Sequence, residues 1–246
     1  MLRTIFERAR ILFEQFSLWG ALRLFVAEAV RKFLDPCQIA SYSQTGEDRV
    51  MDFLLDSAKP GFYVDVGCHH PFAKSNTMRL YKRGWRGLCI DANEVLIALF
   101  QKARPRDDAV CAAVSNKPGR QIFTLMKRPE LSTLKTVLDA SNSPTGEVMR
   151  NVEVEVKTLQ SLLETHNVPN RFELLSIDCE GHDYEVLTSF DITVFRPSVI
   201  ICEMHGFVLS SAVDNPVYTY LIQNGYTLKG FAVWNGFFVD SHSCQS

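Results

Sequence analysis

From residue 41 onward the chain alternates short apolar, β-branched runs with amphipathic helical patterns, and this rhythm narrows the possible folds more than any other feature. Strands buried on both faces read as near-continuous apolar runs, and parallel neighbours need a crossover that a helix usually supplies. The pattern predicts strands at 61–66, 87–91, 109–114, 172–178 and 198–203, and helices at 47–56, 76–83, 94–102, 159–166, 184–189 and 217–224. The tail, 226–239, reads as an antiparallel hairpin with Trp234-Asn-Gly236 at or beside its turn. The expected fold is α/β, a mostly parallel sheet with helices on both faces and a C-terminal antiparallel hairpin.

Two segments depart from the rhythm. Between 115 and 158 come an apolar run at 121–126, a polar loop at 127–150 and the alternating Val152-Glu-Val-Glu-Val156. Period-two alternation marks a half-exposed antiparallel strand, and a loop of this length suits a lid or a substrate-specificity insert. Residues 1–40 form an N-terminal helical extension to the domain at 41–246, with two apolar stripes, Gly20 between them and Asp35-Pro36 ending the pattern. Arg3, Arg8, Arg10, Arg23, Arg31 and Lys32 make residues 1–35 basic. An accessory helix packed on its own core or on a second subunit is the first expectation, and a membrane-surface helix the second.

At 246 residues and 46% hydrophobic the chain can close one large core, and 26 basic against 28 acidic residues give no broad cationic field, so no nucleic-acid partner is expected. The 7 cysteines show no C-x-x-C spacing and mostly lie in or just past apolar runs, where the thiol acts as a small hydrophobe. With no signal-peptide core and no spanning run, a cytoplasmic location is expected, or a peripheral one on a membrane.

The first predicted strand ends at Asp65-Val-Gly67 and the second at Asp91. In a doubly wound sheet the carboxyl end of the first strand meets a nucleoside ligand, Gly67 permits close backbone approach, and an acid at Asp91 can hold both ribose hydroxyls. No G-x-G-x-x-G follows, since Gly67 leads into Cys-His-His-Pro71, so there is little to cradle a pyrophosphate. S-adenosylmethionine, which has adenosine but no phosphate, suits such a site better than a dinucleotide. An ordinary buried strand ending in glycine would show the same residues.

Seven blocks occur in order along the chain: Ser43-Gln-Thr-Gly-Glu-Asp48, Phe62-Tyr-Val-Asp-Val-Gly67, Ser75-Asn-Thr77, Gly84-Trp-Arg-Gly-Leu-Cys-Ile-Asp91 with Asn93, Ala112-Ala-Val-Ser115, Ser176-Ile-Asp-Cys-Glu-Gly-His-Asp183 and Arg196-Pro-Ser-Val-Ile-Ile-Cys-Glu203. In these the chain resembles the FkbM-type family of S-adenosylmethionine-dependent methyltransferases. The resemblance implies a class I methyltransferase (Rossmann-like) fold, methyl transfer to a hydroxyl oxygen, and cofactor contacts from Asp65, Gly67, Asn76, Asp91, Asn93 and Ser115. Cys68-His-His-Pro71 departs from the small residues and second glycine that many relatives carry after the first strand.

Two further strand ends bring polar groups to the same edge: Asp178, Glu180 and His182 from one, Glu203 and His205 from the next. Methylation of a hydroxyl needs alignment and loss of a proton, so these five are the candidate catalytic residues, with His182 or His205 as base oriented by Glu180 or Glu203. The competing account places magnesium or manganese on Asp178, Glu180 and Glu203, with His205 acceptable to manganese. Asp183 reads as a helix cap. Ser43-Gln-Thr-Gly-Glu-Asp48 reads equally as a turn and helix start or as a source of cofactor or acceptor contacts through Gln44 or Glu47.

The expected activity is O-methyl transfer from S-adenosylmethionine to a small-molecule or saccharide acceptor, a glycolipid or another natural product. A nicotinamide-dependent oxidoreductase and a non-catalytic adaptor on the same fold are the alternatives.

Overall fold

The computed structural model describes residues 18–34, 41–55, 59–127, 132, 134 and 148–242. The first apolar stripe, the Asp35-Pro36 break and most of the expected 127–150 insert lie outside them.

The central sheet has seven strands. These are β1 (Phe62–Val66), β2 (Arg86–Asp91), β3 (Asp108–Cys111), β7 (Arg171–Ile177), β8 (Arg196–Glu203), β9 (Tyr226–Ala232) and β10 (Asn235–Asp240), in the order β3-β2-β1-β7-β8-β10-β9. All neighbours pair in parallel except β10, which runs antiparallel between β8 and β9. The expected hairpin is therefore present, turning through Val233 and Trp234, with Asn235-Gly236 opening β10.

Strand alternation divides the core into two layers. Val64, Leu88, Leu175 and Ile200 face one cluster, which takes in α5 (Leu159–Thr165), α6 (Asp183–Leu187) and α7 (Pro216–Gln223). Tyr63, Cys89, Leu174 and Val199 face the other, filled by α2 (Glu47–Leu54), α3 (Met78–Tyr81), α4 (Glu94–Ala103) and the fully buried Trp85. Each such aliphatic side chain contributes about 1.5–3 kcal/mol on burial, which explains why these strands carry so few polar residues.

The structure corrects three expectations. The run 109–114 is not one strand: the chain leaves the main sheet at Ala112, and β4 (Ala113–Val114) joins a second sheet with β5 (Gly119–Met126) and β6 (Val148–Lys157), in the order β4-β6-β5. A continuous apolar run hides this change because Ala109 and Val110 are half-buried and Ala113 and Val114 buried, with the exposed Cys111 between them. The helix expected over 76–83 shortens to Met78–Tyr81, because the Thr77 hydroxyl is engaged by Asp65 instead of capping. Gly20 lies inside a continuous α1 (Leu18–Leu34). In α1, Trp19, Leu22, Val26 and Val30 form an exposed apolar stripe. Among the described residues no helix is long and apolar enough to cross a membrane.

Candidate active site

The chain runs outward from β1 through β2 to β3 and then returns to place β7 on the other side of β1. Such a switch point opens a crevice at the carboxyl edge of the sheet. The cavity there is lined from β1 by Asp65 and Gly67, from β2 by Ile90 and Asp91, from the β3–β4 bend by Ala112, Ala113 and Val114, and beyond β7 by Asp178, Glu180 and His182.

Gly67 is required by its own chain. Its φ is +76°, and a Cβ there would lie 1.8 Å from the Asp178 carbonyl oxygen. β1 and β7 thus approach closely where the cavity begins, and the glycine serves that contact before any ligand arrives.

Asp91 is held by two backbone amides, with His69 donating to Oδ2 at 3.0 Å and Asn93 to Oδ1 at 2.8 Å. Each oxygen keeps a second lone pair, so the carboxylate is oriented and can still accept from two hydroxyls. Burial pushes its pKa up to about 6, against the two amides that lower it. Asn93 is not among the cavity-lining residues: its side chain accepts from the Val95 amide and caps α4, so its part in the site is to hold Asp91.

Asp65 is buried and accepts from Thr77 at 2.6 Å, and burial raises its pKa. Asn76 donates to Ser176 at 3.1 Å and lines the cavity. Ser115 is buried and lies 2.9 Å from His182 Nε2. His182 Nδ1 lies 3.8 Å from Glu185, so the orienting groups the structure shows around this ring are Ser115 and Glu185.

Glu203, at the end of β8, is 7% exposed, and its Oε2 lies 3.0 Å from Nε2 of the half-exposed His205. That contact with Glu203 raises the His205 pKa against the lowering effect of burial. Asp178 is held well above the carboxylate range, first by burial and then by the negative charges of Glu203, Asp183 and Glu180. Asp183, brought to about 7 by burial and Glu203, accepts from the amides of Cys179 and Gly181. It therefore closes the loop before α6 and, standing in the first turn of that helix with its own amide also bonded, keeps part of the expected capping role.

Glu180, Glu203 and His205 bring ligand-capable atoms within 4.8 Å of one another. In the set expected for a cation, His205 thus takes the place given to Asp178.

Among the cavity residues Lys74 and Phe123 were not singled out in the sequence, and His69 was read only within Cys68-His-His-Pro71. Lys74 and His69 both have positive φ, a conformation that nothing in a single sequence announces. The Ser43–Asp48 motif divides between its two readings. Gln44 lines the cavity, whereas Glu47 is buried and accepts from Asn235 at 2.9 Å and from the Thr45 amide at 2.9 Å. Burial raises the Glu47 pKa, but hydrogen bonds from Thr45 and neighbouring groups bring it below the ordinary value. Asp48 accepts from Ser41 and the Tyr42 amide, so Glu47 and Asp48 anchor α2 over the edge of the sheet.

The cavity chemistry fits S-adenosylmethionine. Asp91 can take the ribose, the acids around Asp65 and Asp178 suit a sulfonium and an ammonium, and Lys74 with Gln44 can face a carboxylate. Among the described residues no glycine-rich turn is placed to cradle a phosphate.

Sheet order and cavity together define the class I methyltransferase fold. The family model described as the methyltransferase FkbM domain matches residues 65–228, and the chain belongs to that family of S-adenosylmethionine-dependent methyltransferases. The matched span leaves out Ser43-Gln-Thr-Gly-Glu-Asp48. No curated protein matches the chain. A solved structure similar to it is a TehB-like SAM-dependent methyltransferase from Corynebacterium glutamicum, at 14% identity over 87% of this chain and 96% of that one. Its TM-score is 0.39, too low to support an inference.

Proposed function

We propose that the protein transfers the methyl group of S-adenosylmethionine to a hydroxyl oxygen of a saccharide, glycolipid or other natural product. The observation that carries this reading is the shared edge: the cavity holding Asp91 and Asp65 also takes in Asp178 and Glu180, and Glu180 belongs to the cluster with Glu203 and His205.

The bound donor supplies an electrophilic methyl on a sulfonium. Asp91 fixes the ribose end and Asn76, Gln44 and Lys74 border the rest, so alignment, which can contribute about 7–11 kcal/mol, comes from a strand-end acid and the loops beside it. The acceptor hydroxyl meets the Asp178, Glu180, Glu203 and His205 cluster, which draws off its proton as the new C–O bond forms and the methyl–sulfur bond breaks, leaving S-adenosylhomocysteine. His182, held to Ser115, borders the donor side of the cavity.

The acceptor face combines that polar cluster with an apolar rim. Val208, Leu209 and Val213 after β8 and Trp234 in the β9–β10 turn are exposed, and the Trp234 carbonyl accepts from the Met204 amide at 2.7 Å, beside His205. A polyhydroxy group carrying an apolar portion suits both halves. The exposed α1 stripe, with Arg23 beside it, supports docking to a second subunit or a membrane surface. A cytoplasmic location remains the expectation.

Incubation of the protein with methyl-labelled donor and cell extract tests the proposal. Label should enter a small-molecule ether that is lost with Glu203→Ala. Label on nitrogen, or no transfer, would overturn it.

A further inference from the structure

The geometry points to a divalent-cation site of the manganese or magnesium class built from Glu180, Glu203 and His205. The inference rests on the proposed function and specifies how the acceptor hydroxyl is activated.

Glu203 is the first reason. It ends an otherwise apolar strand, is 7% exposed, and its buried Oε2 has no well-aligned hydrogen bond, only the His205 ring nitrogen at 3.0 Å. A buried carboxylate oxygen in that condition is costly unless a cation or donor meets it. Its ionic neighbour His205 is on the surface side, half-exposed, and belongs to the same cluster.

The spacing is the second. His205 Nε2 and Glu203 Oε2 are 3.0 Å apart. Two atoms bound at right angles to one ion, each at roughly 2.1 Å, stand about 3 Å apart. All three residues place ligand atoms within 4.8 Å of one another, which an ion at their centre can bridge.

The donor set selects the ion. Two carboxylates and one imidazole, with no thiolate, favour a hard to intermediate cation and leave positions open for water or a hydroxyl. Glu180 also lines the donor cavity, so the cluster stands beside the crevice where the acceptor is proposed to bind. A hydroxyl coordinated there is acidified, and its proton leaves to solvent at the exposed edge beside His205. The cation also offsets the repulsion among Asp178, Asp183, Glu180 and Glu203.

The test is a titration of the full-length protein with manganese, following loss of the free-ion electron paramagnetic resonance signal, alongside calorimetry with S-adenosylhomocysteine. Wild type should show one saturable site displaced by excess magnesium. Glu203→Gln and Glu180→Gln should each weaken it at least about 10-fold, and Glu203→Gln, outside the donor cavity, should keep S-adenosylhomocysteine binding. Glu180 lies in the loop after β7, so Glu180→Gln serves if Glu203→Gln does not fold. Equal manganese binding by wild type and Glu180→Gln, or none by wild type that binds S-adenosylhomocysteine, overturns the cation site alone. Absence of S-adenosylhomocysteine binding removes the donor reading itself.

Discussion

Thr77 donates its hydroxyl proton to Asp65 Oδ2 at 2.6 Å, and the Thr77 hydroxyl oxygen accepts from Arg104 Nη2 at 2.9 Å. Arg104 in turn pairs with Asp107 at 2.7 Å, both side chains fully buried, while the Tyr63 hydroxyl bridges the two. A buried cation therefore sits beneath the acid at the start of the donor cavity.

Removing that cation leaves Asp107 charged, buried and unpaired. Arg104→Met should cost about 3–5 kcal/mol, since breaking one side of a buried pair exposes the full desolvation penalty of the other. Urea denaturation measures it, and a loss under about 1 kcal/mol would mean that Asp107 is satisfied elsewhere. Thr77→Val should be milder, about 1–3 kcal/mol, and should also weaken S-adenosylhomocysteine binding through Asp65.

Gly67→Ala should be among the most damaging single substitutions. The new Cβ meets the Asp178 carbonyl, a backbone atom that cannot swing aside, and the φ of +76° adds strain of roughly 1–2 kcal/mol. A lower thermal midpoint and lost S-adenosylhomocysteine binding are expected together. Unchanged stability would show that β1 and β7 can part at no cost.

The pH dependence of donor binding follows from Asp91. Its carboxyl titrates at about 6, above the ordinary 3.8, because burial outweighs the two amides. The native state therefore keeps a proton that the unfolded chain has lost between these values. This group's contribution to stability is present below the unfolded value and is lost as pH rises through about 6. Ligand affinity runs the other way, because accepting ribose hydroxyls needs the ionised form. S-adenosylhomocysteine affinity should fall roughly tenfold per pH unit below about 6 in wild type and lose this limb in Asp91→Asn. Calorimetry across pH 5–8 checks both.

His205→Ala should cut turnover far more than it weakens S-adenosylhomocysteine binding, because the half-exposed ring stands with Glu203 on the acceptor side of the edge. Single-turnover transfer and calorimetry on the same preparation separate the two effects. Parallel losses would place His205 at the donor instead.

How much of this was legible in the sequence depends on how local each feature is. The strands of the main sheet could be read because burial on both faces leaves no room for polar residues, and Asp91, Asp178 and Glu203 stood out as acids ending such runs. The Arg104–Asp107 pair could not, since an i,i+3 charge pair after a helix ordinarily lies in solvent; only the ring of Tyr63, Thr77 and Ser75 around it reveals its burial. The Ser115–His182 contact joins residues 67 positions apart and depends on the bend at Ala112. Glu203 and His205 sit two apart in sequence, yet that Glu180 completes their cluster follows from its positive φ in the loop after β7. Glu47 was ambiguous because its partner, Asn235, lies at the far end of the chain.

The central claim is that the β1–β2 end of the cavity holds an adenosine-bearing methyl donor through Asp91. Calorimetric titration of wild type and Asp91→Ala with S-adenosylhomocysteine, with NAD as the control ligand, tests it directly. The account predicts saturable S-adenosylhomocysteine binding to wild type, at least roughly tenfold weaker binding to a folded Asp91→Ala, and no response to NAD. Equal affinity in both proteins, or binding of NAD in place of S-adenosylhomocysteine, would contradict it.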